Sequence, residues 1–402
     1  MQIEKMSSEA TSYRKIQAFR GMDFDLSWIL LGLPVAFTLG WLASRLDLRQ
    51  LRIENRQAPK AYFRGLNFLL NEQQDQAIDA FIEAVQNDPD TSELHFALGN
   101  LFRRRGEYER AVRVHEHLLQ RGDLPKLEHD RAQHALALDY LRAGLLDRAE
   151  LALQKLDGTS FEEDASLALL AVYERSRDWQ QASAIAKKLG NIGNGNFDGR
   201  QAHYLCEQAD GMVAAGDLDA ATELLTKARQ VASDAGRPMI DLARLDQRRN
   251  RPDAAMATLK QLEKSTPQTL PLAASLLVEI AQTFTLKPEV MELLKTNYQH
   301  TQSVDVMDAL AKLESNPDTS RQIYITHLES DASLVAASRW VAGQAMGTEH
   351  QHQLVQRALD LAVKPLMRYR CAACGFEATQ HFWHCPGCQA WDSYPARRTE
   401  EL

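Results

Sequence analysis

Aromatic residues are scarce, cysteine is nearly absent, and neither sign of charge dominates. Phe, Trp and Tyr make up 7% of the 402 residues, and 20 Gly with 13 Pro fall well short of collagen-like or low-complexity chains. The mean hydropathy of −0.38 excludes a protein built from many membrane spans. Basic residues number 46 and acidic ones 54, well mixed along the chain, for a formal net charge of −8. A general nucleic-acid binder would be basic over a whole domain. Four of the five cysteines fall within eighteen residues near the end, with Cys206 alone. A disulfide-stapled secreted protein spreads its cysteines differently. At roughly 150 residues per domain, the length allows two or three compact domains or one elongated array.

One uncharged run stands out, Leu26 to Ser44, nineteen residues reading LSWILLGLPVAFTLGWLAS. At about 1.5 Å per residue it is just long enough for a hydrocarbon core of about 30 Å. Trp28 and Trp41 sit near its ends, where amphipathic rings favour the headgroups. A signal-peptide core would be shorter and followed by a small-residue cleavage site. Downstream, residues 45–64 carry Arg45, Arg49, Arg52, Arg56, Lys60 and Arg64 against Asp47 and Glu54. Upstream, Lys5, Arg14, Lys15 and Arg20 are matched by Glu4, Glu9, Asp23 and Asp25. This asymmetry predicts a single transmembrane anchor with everything from about residue 45 in the cytoplasm. Met22 offers a second translation start that would remove the upstream bases and sharpen that orientation.

From residue 58 the chain repeats. Gly65 and Gly99 are 34 residues apart, as are Ala77 and Ala111, and Phe81 and His115. Later units carry Ala137, Tyr140, Gly144, Ala149 and Leu153, then Leu170, Tyr173, Ala182 and Ala186. Ala209, Met212, Gly216, Ala221 and Leu225 follow, and then Ala255, Leu259, Leu262 and Pro267. The phrases GEYERAV, GLLDRAE, RDWQQAS and GDLDAAT are one turn entering the second helix of successive units. Small residues at close helix contacts and large ones plugging the next gap are the tetratricopeptide signature. Beyond 270 the period blurs while helical spacing persists, which predicts two or three degenerate helical pairs. The glycines and asparagines of residues 190–199 read as a loop, since no strand precedes them and no phosphate-loop frame is present. Stacked helix pairs form a curved ribbon suited to docking proteins. No zincin, nucleophile-elbow or Walker pattern marks a catalytic centre, so the protein reads as a non-enzyme. Cys206 reads as a small buried core residue.

The strongest chemical signal is Cys371-Ala-Ala-Cys374, ten intervening residues, and Cys385-Pro-Gly-Cys388. Each C-x-x-C knuckle aims two thiolates at one point, and two knuckles complete a tetrahedral four-sulfur site for one metal ion. Gly375 and Gly387 are expected to supply the tight turns. A single C-x-x-C would also suit a redox pair; two so close together favour metal. Four sulfurs suit zinc or a single iron. C-G-F and C-P-x-C are similar to rubredoxin fragments, but the segment is too short for a whole rubredoxin fold, and structural zinc is favoured over iron. With four thiolates present, His381 and His384 are expected outside the ligand set. Tyr369, Phe376, Phe382, Trp383 and Trp391 are expected to pack around the ion and against the last helices, because so small a domain needs the metal in place of a core. An iron redox protein and a nucleic-acid-binding zinc ribbon are the alternatives. Against the latter, residues 364–402 hold five bases and four acids, too little positive charge to drive phosphate binding.

The expected fold is therefore all-α: a tetratricopeptide-repeat superhelical solenoid with one N-terminal transmembrane helix and a small C-terminal zinc-ribbon or rubredoxin-like domain. Its parts are a tail (1–25), the anchor (26–44), a basic linker (45–57), repeats (58–269), degenerate repeats (270–363) and the metal-binding domain (364–402).

Taken together, LLGLPVAFTLGWLASR, GLNFLLNEQQDQAIDAF, LGNLFRRRGEYERAVRVHEHLL and RYRCAACGFEATQHFWHCPGCQAW occur in an order that resembles the lipopolysaccharide assembly protein B family of Gram-negative bacteria. The resemblance covers nearly the whole chain from Met22, more loosely between about 190 and 360. It implies a cytoplasm-facing inner-membrane protein that restrains lipopolysaccharide synthesis. It further implies an adaptor that brings the deacetylase of lipid A synthesis to a membrane AAA+ zinc protease, with links to lipopolysaccharide assembly and transport and control by an inner-membrane sensor. The family's rubredoxin-type cysteines fall on Cys371, Cys374, Cys385 and Cys388. No nucleic-acid partner is expected, and a homo-oligomer is left open.

Overall fold

The computed structural model describes residues 34–42, 60–192, 195–344 and 347–402. Most of the expected anchor, 26–33 and 43–44, lies outside the described residues, as do the N-terminal tail and the basic linker as far as residue 59. Residues 34–42 (α1) are helical, with Phe37 and Leu39 largely exposed. Among the described residues no helix is long and apolar enough to cross a membrane.

The chain divides into two compact units, Met1–Leu156 and Asp157–Leu402. In the first, α2 (60–70) pairs with α3 (Gln74–Asn87), α4 (Ser92–Arg105) with α5 (Tyr108–Gln120), and α6 (Lys126–Arg142) with α7 (Leu146–Gln154). Phe81 sits so close to α2 that a Cβ on Gly65 would meet its ring at 2.9 Å. One repeat later His115 takes the place of Phe81, and a Cβ on Gly99 would meet its ring at 2.5 Å. The polar plug brings its own partner: His115 Nδ1 lies 2.5 Å from Asp139, whose other oxygen accepts from Arg103 at 2.8 Å.

The second unit continues the pairing. Its helices are α8 (Glu162–Ser176), α9 (Trp179–Ile192), α10 (Asp198–Ala215), α11 (Leu218–Val231), α12 (Gly236–Arg248) and α13 (Pro252–Ser265). A 3₁₀ turn, Pro267–Ala273, leads into α14 (Ala274–Thr283) and α15 (Lys287–Thr301). Then come α16 (Val304–Leu313), α17 (Pro317–Ser330), α18 (Leu334–Ala342) and α19 (Glu349–Leu366). The blurred region thus contains three helical pairs. Gly190 and Gly199, expected in a loop, lie instead in the last turn of α9 and the first of α10. Terminal turns tolerate glycine because few intrahelical bonds depend on it.

The repeat register is visible in the backbone. Ala77, Ala111, Ala149, Ala182, Ala221 and Ala255 are all fully buried. Five residues before each lies a left-handed residue: Glu72 (φ 59°), Gly106 (85°), Gly144 (77°), Arg177 (58°), Gly216 (85°) and Asn250 (60°). The first helix of each of these six pairs ends in this conformation, which reverses the chain into the second. Three of the six positions are not glycine and adopt it at some steric cost. Met212, read as a repeat position, is 39% exposed and contributes little to the core.

Candidate metal centre

Residues 367–402 leave α19 through a two-stranded ribbon, β1 (Tyr369–Arg370) antiparallel to β2 (Glu377–Ala378), with Tyr369 opposite Ala378. The first knuckle begins directly after β1. The amide of Gly375 donates to the Cys371 carbonyl at 2.9 Å, and the amide of Cys371 donates to the Phe376 carbonyl at 2.9 Å. The second knuckle repeats the pattern, Gln389 to Cys385 at 2.8 Å and Cys385 to Ala390 at 2.9 Å. Gly375 has the left-handed φ expected of it, 78°. Gly387 does not fill that role. Its counterpart is Gln389 at φ 62°, and Gly387 instead leaves room for Phe376, whose Cβ would lie 3.3 Å from an added Cβ.

This folding brings all four sulfurs together, each within 4.8 Å of the others. Cys371 to Cys388 and Cys374 to Cys385 are each 3.8 Å apart. A disulfide would need about 2.05 Å. A tetrahedron with metal–sulfur bonds of about 2.3 Å has edges of about 3.8 Å. The residues present therefore fit a four-thiolate ion, and the four cysteines are placed to bind one. Cys371 and Cys385 are buried while Cys374 and Cys388 are exposed, so one edge of the site faces solvent. Burial pushes the Cys371 thiol up. The Ser393 hydroxyl 3.3 Å away and the amides of Cys374 and Ala373 outweigh that and bring it down to about 6. A bound ion would join the two knuckles through four metal–thiolate bonds and supply the cohesion that so short a segment cannot obtain by burial.

The histidines point elsewhere. His381 Nε2 lies 3.0 Å from the Tyr394 carbonyl and His384 Nε2 3.0 Å from that of Gln389, so each donates to backbone. Burial lowers the pKa of both and favours the neutral ring.

The rings around the site do more than surround it. Tyr394, buried beside Cys385, donates to the Phe376 carbonyl at 3.1 Å. Phe376 is 44% exposed. Trp391 stacks between His384 and His203 of α10, at 4.3 and 4.9 Å between centroids, and donates to Glu174 of α8 at 2.8 Å. His203 Nε2 meets the Asp392 carboxylate at 2.8 Å. These tryptophan contacts reach α8 and α10, far from the last helices where packing was expected. A second set does reach the later helices. Arg398 grips Asp305 of α16 through two 2.8 Å bonds and lies 4.0 Å over the Tyr369 ring, while Tyr369 donates to Asp305 at 3.0 Å. Glu401 accepts from the Val304 amide at 2.8 Å, and Glu400 from the Leu334 and Val335 amides at 2.6 and 3.0 Å. The two carboxylates thus satisfy orphan amides and complement the dipoles at the starts of α16 and α18. Sequence reasoning missed Glu174, His203, Asp305, Glu400 and Glu401 because nothing local marks a partner more than sixty residues away.

Fold and site together define a class: a tetratricopeptide array carrying a rubredoxin-type four-cysteine domain. A tetratricopeptide repeat family profile matches residues 212–280, and one described as a rubredoxin metal binding domain matches residues 369–394. Lipopolysaccharide assembly protein B of Escherichia coli K12 is 31% identical over 384 residues, spanning 92% of this chain and 97% of that one. Its Haemophilus influenzae counterpart is 28% identical over 389 residues, spanning 91% and 96%. The chain belongs to the lipopolysaccharide assembly protein B family. A tetratricopeptide repeat protein from Parabacteroides merdae superposes with a TM-score of 0.34 at 15% identity, over 64% of this chain and 99% of that one. Both lipopolysaccharide assembly relatives are named for assembly and not for a reaction, which fits a repeat protein that works by binding others.

Proposed function

We propose that this protein is a bilayer-anchored adaptor that restrains lipopolysaccharide synthesis. It presents the deacetylase of lipid A synthesis to a membrane AAA+ protease for degradation and connects to the lipopolysaccharide assembly and transport machinery, under control of an inner-membrane sensor. The observation that carries this reading is the nearly end-to-end correspondence with lipopolysaccharide assembly protein B. Residues 26–44 serve as the single anchor, and the basic linker keeps the repeats and metal domain on the cytoplasmic side. The exposed apolar side chains of 34–42, Phe37 and Leu39 among them, suit a lipid surrounding. Cys371, Cys374, Cys385 and Cys388 hold one ion, zinc in preference to iron, in a structural role, and no nucleic acid is bound. Tethering raises the concentration of a bound client near a membrane protease without any chemistry from the adaptor. Affinity capture of the full chain from detergent-solubilised membranes, followed by mass spectrometry, tests this. Joint recovery of a membrane AAA+ protease and the lipid A deacetylase is the expected result; recovery of neither refutes the reading.

A further inference from the structure

The left-handed turn residues put the first helices of the pairs in one frame, and in the first unit that frame exposes an unpaired surface. Two residues before the turn residue stand Leu70, Arg104 and Arg142, on α2, α4 and α6; all three are exposed, Leu70 at 82%. Six residues before it stand Leu66, Asn100 and Leu138, all half-buried. The three helices are neighbours. Leu66 packs on the cluster of Leu94, Leu98 and Leu101, and Arg103 of α4 donates to the Ala135 carbonyl of α6 at 3.1 Å. Arg103 also donates to the Asn100 side-chain oxygen at 2.5 Å, which leaves the Asn100 amide group to donate elsewhere. No carboxylate on these helices is left to neutralise the row. α2 carries no acid, Glu93 of α4 is matched by Arg131 at 2.5 Å, and Asp139 of α6 by Arg103 and His115. Glu128 and Asp130 lie at the far end of α6, about three turns from Arg142. Among the described residues Arg104 and Arg142 make no ion pair, and the negative ends of α4 and α6 favour both charges there. In the second unit the same row is used for docking: Arg175, two residues before Arg177, donates to Gln389 of the metal domain at 3.1 Å.

We propose that this face of α2, α4 and α6 binds an extended segment of a partner polypeptide in which an apolar side chain is followed, three and six residues on, by two acids. The apolar side chain lies against Leu66 and Leu70, and the acids meet Arg104 and Arg142. Charge selects the residue type. Two unpaired guanidiniums and the Asn100 amide offer only donors, so the occupant must supply acceptors, and a carboxylate takes a guanidinium's fork bidentately. Geometry selects the spacing. Packed helices lie about 8–10 Å apart, and a polyproline II segment brings every third side chain to one face at about 9.3 Å. Two arginines set among leucines are too few to hold a nucleic-acid backbone, and the leucines would meet nothing apolar on it. The inference deepens the adaptor reading and rests on it for the existence of a client.

The test uses the full, metal-loaded chain in neutral detergent and the fluorescent, C-terminally amidated heptapeptide Leu-Pro-Pro-Glu-Pro-Pro-Glu, read by anisotropy. A second peptide has glutamine in place of both glutamates, and a third has the same composition with the two glutamates adjacent. The first peptide is expected to bind about tenfold more tightly than the second, the equivalent of two exposed ion pairs, and more tightly than the third. Arg104→Gln with Arg142→Gln should abolish the preference while the thermal midpoint stays close to native, and Arg104→Lys with Arg142→Lys should keep part of it. Leu70→Asp should weaken the first peptide further than the charge change at the arginines alone. A native chain that does not prefer the first peptide over the second, or a preference that survives the double glutamine substitution, would overturn the proposal. Neither result depends on which protease or deacetylase the adaptor recovers from membranes, so the two readings can fail separately.

Discussion

Trp391 Nε1 donates to Glu174 Oε1 at 2.8 Å across 217 residues of chain, tying the metal domain to the first helix of the second unit. The same Glu174 oxygen accepts from the Tyr204 hydroxyl, and Tyr204 stacks on Trp179 with 6.0 Å between centroids. Replacing Trp391 with Phe keeps the ring between His384 and His203 but deletes the donor, so the expected cost is about 1 kcal/mol. Trp391→Ala removes the stack as well and should cost about 3 kcal/mol. The second measurement is the rate at which a chromogenic chelator strips the ion. Trp391→Ala should lose metal several-fold faster, because the second knuckle then loses the stacked ring that packs it against α8 and α10. An alanine variant that kept both its thermal midpoint and its metal would show this contact to be incidental.

Metal removal should act locally first. Cys371→Ser with Cys374→Ser leaves two thiolates, too few for a closed site, so bound metal should fall from one ion per chain to none. Glu400 and Glu401 would then be free to leave the starts of α18 and α16, and these helices should fray. Most of the far-ultraviolet helical signal should survive, because α8 to α15 have their own buried core of leucines and alanines. Loss of most helicity would mean that the metal domain is part of the array's core. The native protein also reports its ion by colour: a colourless chain fits zinc, while visible charge-transfer absorption would identify iron.

The left-handed turn residues make a separate prediction about stability. Arg177 adopts φ 58° at a place where Gly106, Gly144 and Gly216 adopt 77–85°. Arg177→Gly relieves the Cβ clash but adds freedom to the unfolded chain, for an expected net gain of about 0.5–1 kcal/mol. Asn250→Gly should gain less, since asparagine tolerates this region better. Gly216→Ala should lose about 1 kcal/mol. Urea midpoints at constant slope decide it. A destabilised Arg177→Gly would mean that the arginine side chain contributes more than its backbone costs.

How much of this was legible beforehand depended on whether the signal was local. Ala77 and Ala111 could be found by counting, because each must be small for its own helix pair to close. The two knuckles could be found because four thiolates within eighteen residues have few other uses. The equivalence of Gln389 with Gly375 was hidden, since a left-handed glutamine looks like any other. The grip of Arg398 on Asp305 and the caps from Glu400 and Glu401 left no trace in spacing or composition. They are long-range contacts made by residue types that are ordinarily solvated.

Asp308 gives a pH dependence whose sign follows from its burial. Its carboxyl titrates above the ordinary carboxylate range in the folded chain, so the folded state holds that proton more tightly than the unfolded state. Stability from this group is therefore present at low pH and is lost as pH rises from the unfolded pKa through the folded one. Asp308→Asn removes the titration. The variant should melt at or above the native protein at neutral pH, and the gap should close as pH falls through the raised carboxyl pKa. A gap that widened on acidification would place the ionised carboxylate in a stabilising pair.

The anchor is tested by separating binding from location. If Leu26 to Ser44 serves to hold client and protease at one surface, a chain beginning near Arg45 should fold, stay soluble and still bind the client. It should fail to promote turnover, because affinity is retained while the local concentration at the bilayer is lost. An unrelated single-span helix in the same orientation should restore activity to the extent that location alone matters. Full restoration would make the helix a passive tether. No restoration would mean that its own side chains touch the protease or a regulator. Gly32, Ala36 and Gly40 are four apart in the sequence, the spacing at which small residues let two membrane helices approach closely. The quantity to follow is the half-life of the deacetylase in cells carrying each form. A soluble chain that shortened it as well as the intact protein does would rule out tethering as the mechanism.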